Sequence, residues 1–182
     1  RSLFRTLSQQ VLSPAKIVTD MNNSISDNNE SNMFVTLIVG ILDLETGKLK
    51  LCNAGHNPPI LIRPDGQVSF LEFKTQIFVG VIEEFAYTED ETTLEKGSKL
   101  FLYTDGVTEA ENTEKELYGD EKLLKTLSDN NTSDVRTTVN GIEDSVADHV
   151  KEAEASDDLT ILLIQYEPGQ QTIKHISLWK EK

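Results

Sequence analysis

Phe34 to Leu42 is almost wholly apolar and rich in β-branched side chains, the pattern of a central strand buried on both faces. Asp43-Leu44-Glu45-Thr46-Gly47 then reads as a hairpin turn, and Lys48-Leu49-Lys50-Leu51 alternates polar and apolar as a half-exposed strand does. A second hairpin is predicted from Ile60–Ile62 and Val68–Leu71, which flank Pro64-Asp65-Gly66. A weaker strand signal covers 87–94, and Lys99 to Thr104 is a short, strongly apolar strand closed by Asp105-Gly106. Leu159 to Tyr166 is another buried strand, and 172–179 could add one at an edge.

Helical spacing appears in four places. Leu3, Phe4, Leu7 and Val11 form one stripe, while Ile17, Met21 and Ile25 form a second behind a Ser13-Pro14 start signal. Asp120 to Leu127 begins with acidic residues, as a helix N-terminus favours. Val135, Val139, Ile142, Val146 and Val150 make a long stripe whose opposite face is acidic. Hairpin-connected strands with helices early and late in the chain predict an α+β fold of mainly antiparallel sheets.

The 182 residues suit one domain, read as 1–182, and carry 17 Lys and Arg against 31 Asp and Glu, a net charge of −14. That balance argues against nucleic acid and against an anionic membrane as partners. Cys52 is alone, so neither an internal disulfide nor a thiolate zinc site is available. A reducing cytoplasmic compartment follows as the simplest expectation, and Cys52 reads as a small packed apolar residue. No apolar run approaches the ~20 residues of a membrane span. The chain opens at Arg1 in mid-helix without a Met, and the expectation is an N-terminus cut within a longer sequence.

Two acidic breaks carry the candidate chemistry. Thr104-Asp105-Gly106 ends one strand and Ser156-Asp157-Asp158 begins another. Were those strands antiparallel neighbours, Asp105 and Asp157 would share one edge of the sheet. Paired carboxylates repel unless a cation sits between them, and all-oxygen ligation suits Mg2+ or Mn2+. Ordinary turn chemistry explains most Asp-Gly pairs without a metal, and Asp before a strand is ordinary. The loop Asn53-Ala54-Gly55-His56-Asn57-Pro58-Pro59 also has two readings. His56 is either a general acid or phosphate-contacting group, or part of a turn set by Asn, Gly and Pro. The runs Glu83-Glu84 and Glu89-Asp90-Glu91 read as a solvated acidic face, and His149 and His175 as structural or solvated.

In order, "FVTLIVGILDLETGKLKLCNAGHNPPILIRPDG", "LFLYTDGVTEAEN" and "SDDLTILLIQY" resemble the SpoIIE/RsbU-type branch of the PPM metal-dependent Ser/Thr phosphatases. The resemblance covers Phe34 to Tyr166. It implies an α/β/β/α sandwich of two antiparallel sheets flanked by helices, with two Mn2+ or Mg2+ ions in the intact domain. It places Asp105 and Asp157 as metal ligands, Asp158 and Gly106 beside them, and Asn53, Gly55 and His56 in an architectural motif. No catalytic residue beyond the metal ligands is implied. Two upstream acidic motifs of that family, a Gly-Asp and an Asp-x-Ser-Gly-Lys-Gly loop, do not appear in these residues. The expectations are therefore a domain lacking its first strands, weak Mn2+ binding, little or no activity of this chain alone, and a bare sheet edge that invites a homodimer. The resemblance implies a bacterial signalling phosphatase whose substrate is a phosphorylated STAS-domain anti-anti-sigma factor in a sigma-factor partner switch. Two alternatives stand beside it: a non-catalytic module that binds a STAS-domain regulator, and a simple divalent-cation binding domain.

Overall fold

The computed structural model describes residues 13–27, 29, 33–153 and 157–169, together with the backbone of 174–180. The stripe Leu3–Val11 expected to be helical lies outside the described residues, as does the side chain of His175. The chain forms two compact units, one of residues up to Pro58 plus Glu72–Leu94, the other of Pro59–Leu71 plus Glu95 onward.

In the first unit, helix α1 (Pro14–Ser26) starts where the sequence signals it. Pro14 opens the helix and Ser13 Oγ accepts from Lys16 N–H at 3.2 Å. Strands β1 (Leu37–Leu42) and β2 (Lys48–Ala54) pair antiparallel through the Asp43–Gly47 turn. That turn is held by Asp43 Oδ1, which accepts from Glu45 and Thr46 N–H. The two-residue β5 (Thr75–Gln76) runs parallel to β2, and β6 (Asp90–Thr93) pairs antiparallel with β2. Ile17 and Val18 of α1 pack on Val39, Cys52, Ala54, Val79 and Tyr87 to make this unit's core.

Two expectations change here. Phe34–Leu42 is not a central strand. Its regular part begins at Leu37, pairs on one side only among the described residues, and is half-buried, with Val35 forming an isolated bridge to Val79. Nor is Glu89 part of a solvated acidic face. Its carboxylate accepts from Ser13 Oγ at 2.7 Å and Ala15 N–H at 3.2 Å, and pairs with Lys50 Nζ at 3.2 Å. Burial pushes the Glu89 carboxyl up, but these three donors outweigh it and hold the group below its ordinary value.

The second unit is built on a sheet of order β4-β3-β7-β8-β9, with β3 (Ile60–Ile62), β4 (Val68–Phe70), β7 (Lys99–Tyr103), β8 (Leu159–Gln165) and β9 (Lys174–Lys180) all antiparallel to their neighbours. A one-turn helix α2 (Asp105–Thr108) follows β7, then α3 (Gly119–Asp129) and α4 (Val135–Val150). The predicted stripe of α4 buries Val135, Val139, Ile142 and Val146 in a core with Phe101, Tyr103, Ile161 and Leu163. Asp134 caps α4 by accepting from Thr137 N–H at 3.0 Å. Buried Lys99, at the start of β7, donates from Nζ to the carbonyls of Asn131 and Ser133 and so ties the α3–α4 loop to the sheet.

Candidate functional site

The β7–β8 ladder brings the two acidic breaks to one end of the sheet. Its register runs from Lys99 opposite Gln165 to Tyr103 opposite Ile161. Beyond it, Thr104 N–H donates to Thr160 O at 3.1 Å, and Thr160 N–H donates to Thr104 Oγ1 at 3.1 Å. Thr104 Oγ1 in turn donates to Asp158 O at 3.3 Å. The β-branched Thr104 thus fits the strand end and supplies a hydroxyl that stitches both breaks together. Only its place in the strand, not this role, is visible in the sequence.

Gly106 has a steric reason to be glycine. A Cβ there would lie 2.2 Å from the Asp158 carbonyl oxygen, well inside contact distance. The backbone of Asp105-Gly106 therefore abuts that of Asp158, with Asp157 one residue further out. Asp105 and Asp157 are both exposed. Each spends one oxygen on its own neighbour: Asp105 Oδ1 accepts from Gly106 N–H at 3.1 Å, and Asp157 Oδ1 from Asp158 N–H at 2.7 Å. Among the described residues neither carboxylate has a Lys or Arg as an ion-pair partner. Val107, one residue past Gly106, is fully buried in the unit's core and fixes the turn from beneath.

Two carboxylates and an adjacent backbone carbonyl make an all-oxygen donor set, which suits a hard divalent ion. Among the described residues no three Asp, Glu, His or Cys side chains converge to hold a metal. The two exposed carboxylates offer the donor chemistry that such an ion takes.

The Asn53–His56 motif lies in the other compact unit. Asn53, buried at the end of β2, clamps the turn in both directions. Its Nδ2 donates to His56 O at 2.9 Å and its Oδ1 accepts from His56 N–H at 2.8 Å. Gly55 has φ +75°, and a Cβ there would sit 2.0 Å from Cδ1 of Phe78. Phe78 covers this turn from 23 residues away, a contact that local pattern does not reveal. The His56 ring is half-buried, with Nδ1 3.4 Å from Thr36 Oγ1.

Other residues have structural places. Burial pushes the Cys52 thiol up to about 12, with Gln76 Nε2 3.8 Å from its sulfur. His149 lies on α4 with Nε2 2.9 Å from Glu116 O and Nδ1 3.1 Å from Lys122 Nζ. No helix among the described residues is long and apolar enough to cross a membrane.

Among known families, the model of stage II sporulation protein E (SpoIIE) matches residues 1–167. Protein IcfG of Synechocystis sp. (strain ATCC 27184 / PCC 6803 / Kazusa) is 30% identical over 139 residues, covering 76% of this chain and 22% of IcfG. Phosphoserine phosphatase RsbU of Bacillus subtilis (strain 168) is 24% identical over 161 residues, covering 88% of this chain and 47% of RsbU. The chain thus spans half or less of the length of these relatives. Among solved structures, the SiaA-PP2C domain of Pseudomonas aeruginosa superposes with a TM-score of 0.80 at 18% identity, covering 91% of this chain and 67% of that one. The catalytic domain of the serine/threonine protein phosphatase PstP, in complex with two manganese ions, shares the fold at a TM-score of 0.63 and 14% identity, over 97% of this chain and 78% of that one. The two sheets with their helices match the fold of PP2C phosphatase domains.

Proposed function

Because the chain belongs to the stage II sporulation protein E (SpoIIE) family, a family of PPM-type phosphatase domains related to RsbU and SiaA, we propose that residues 1–182 are part of one Mn2+- or Mg2+-dependent protein serine/threonine phosphatase domain. Asp105 and Asp157 ligate metal. Asp158 and Gly106 shape the turn that carries them, and Asn53, Gly55 and His56 set a rigid turn in the other compact unit. The observation that supports the ligand pair is the β7–β8 register, which continues through Thr104 and Thr160 and sets both acidic breaks at one end of the sheet.

Divalent ions in such a site supply an acidified water and neutralise phosphate charge. This chain's own contribution is positional. Gly106 lets one acidic turn press against the other, and Thr104 holds their spacing. With two carboxylates in place of a full ligand set, the 182 residues alone bind Mn2+ weakly and turn over little or nothing. The substrate is a phosphoserine or phosphothreonine on a STAS-domain anti-anti-sigma factor, in the cytoplasm of a bacterium that uses partner switching to control a sigma factor. The phosphoserine phosphatase activity named for RsbU favours that class. The absence of a third converging ligand among the described residues keeps one rival: a module that binds a STAS-domain regulator without hydrolysis.

The test is Mn2+-dependent hydrolysis of p-nitrophenyl phosphate by the full-length protein that contains this chain, with Asp105→Asn beside it. Turnover that falls by about 100-fold or more in the variant supports the reading, since each tenfold is 1.4 kcal/mol of barrier. Turnover that survives the substitution removes Asp105 as a working ligand, and none at all in well-folded wild-type protein favours the binding module.

A further inference from the structure

Thr104 ties the two acidic turns together with both its backbone and its side chain. Its N–H donates to Thr160 O at 3.1 Å. Its hydroxyl oxygen accepts from Thr160 N–H at 3.1 Å and sends its own proton to Asp158 O at 3.3 Å. A hydroxyl can accept and donate at once. Here both bonds go to the chain that carries Asp157, while the backbone of Thr104 runs directly into Asp105.

The Asp158 peptide group is met from a second side as well. A Cβ on Gly106 would lie 2.2 Å from Asp158 O and 2.9 Å from its carbonyl carbon, so the Gly106 backbone and the Thr104 hydroxyl bracket one carbonyl. Across the break, Asp105 O accepts from Glu109 N–H at 2.7 Å, and fully buried Val107 anchors the turn in the core. Each carboxylate is also oriented by the amide that follows it, through Gly106 N–H at 3.1 Å and Asp158 N–H at 2.7 Å. Both acidic turns are therefore set before any ion arrives, and the chains that carry them have little room to spread.

Room to spread is what separates hard ions of different size. Mg2+ requires near-octahedral oxygens at about 2.0–2.1 Å, whereas Ca2+ takes more oxygens, at about 2.3–2.6 Å, in flexible geometry. A loosely held carboxylate pair can open to suit Ca2+, and a fixed pair cannot.

We propose that Thr104 is a positioning residue that sets which divalent ion the acidic turns accept: its hydroxyl keeps them from opening to suit Ca2+ and so favours Mg2+ and Mn2+. The inference rests on the phosphatase reading and adds to it a determinant of ion choice. Thr104 touches no ion itself and acts through the Asp158 carbonyl.

The experiment measures Mn2+ binding to the full-length protein that contains this chain, by the EPR signal of free Mn2+, with Mg2+ and Ca2+ each titrated as competitors. Thr104→Val removes the hydroxyl and keeps the β-branched shape, Thr104→Ser keeps the hydroxyl, and Asp105→Asn removes a ligand. Thr104→Val is expected to weaken Mn2+ and Mg2+ by about tenfold and Ca2+ by about twofold at most, a loss of the size brought by removing a group behind a metal ligand. Thr104→Ser should keep the wild-type preference for Mg2+ over Ca2+. Should Thr104→Val fail to fold, Thr104→Cys takes its place: a thiol bonds weakly, and the preference should shift the same way in smaller measure. Mg2+ and Ca2+ weakened alike, or a preference unchanged in the folded variant, would overturn the proposal and leave the phosphatase reading intact. Wild-type protein that binds no Mn2+, or Mn2+ binding that Asp105→Asn does not weaken, would remove the metal site as read above and this inference with it.

Discussion

At the Asn53–His56 turn the polar groups close on the turn itself: Asn53 is buried, bonds the His56 backbone twice, and sits beside a glycine roofed by Phe78. At the β7–β8 end the backbone is equally constrained, but the carboxylates of Asp105 and Asp157 are exposed and, among the described residues, bond their own neighbouring amides. One region uses its polar side chains to set the chain path. The other uses steric fit and backbone bonds for that purpose and leaves its charged side chains exposed. Residue type does not separate the two roles, whereas burial and the destination of each hydrogen bond do.

The harshest way to break this contrast is Gly106→Ala. Its methyl would need the space of the Asp158 carbonyl, so a loss of about 3 kcal/mol or more is expected in urea unfolding. A loss below ~1 kcal/mol would mean the two breaks are not pressed together. Asn53→Ala comes next, at roughly 2 kcal/mol, because it removes a buried side chain and its two bonds to the half-buried His56 backbone. Glu89→Gln is smaller, roughly 1–2 kcal/mol, for weakened bonds to Ser13, Ala15 and Lys50. It also predicts a pH signature. The Glu89 carboxyl is held below its ordinary value near 4.5, so its contribution is present above that pH and is lost as pH falls through the lower, folded value. Stability of the wild type should drop more steeply on acidification below about pH 4.5 than that of Glu89→Gln. The smallest change in stability is expected for Asp105→Asn, within about 0.5 kcal/mol, because its carboxylate supports little of the fold. A large loss there would place Asp105 with Asn53 as a structural residue.

Much of the frame could be read from pattern. The Ser13-Pro14 start of α1, the Asp43–Gly47 hairpin, the stripe of α4 and the strands meeting at the acidic breaks all depend on local spacing or turn chemistry, and each appears in the fold. Features set by distant contacts did not announce themselves. An apolar run looks the same whether a strand is flanked on both edges or on one, so β1 reads as central although among the described residues it pairs only with β2. The two residues of β5 are too few for a period, and α2 is a single turn hidden behind an Asp-Gly signal. Glu89 sits in an acidic run that looks solvated, and its role depends on Ser13, 76 residues away. The meeting of both acidic breaks at one end of the β7–β8 ladder was legible, while Thr104 as stitch and Phe78 as cover of the Gly55 turn were not, since both act across strands or loops.

The hairpin β3–β4 interrupts the first unit in sequence: residues up to Pro58 and Glu72–Leu94 belong together, and Pro59–Leu71 belongs with the later part of the chain. During synthesis, then, the first unit has no complete set of strands until residue 94 has left the ribosome, and by that time a hairpin of buried Ile60, Leu61 and Ile62 is already out and lacks β7, its partner. A nascent chain paused between those points would expose that hairpin to solvent. Slow codons through the Glu95–Tyr103 stretch are therefore expected to raise its demand for chaperones.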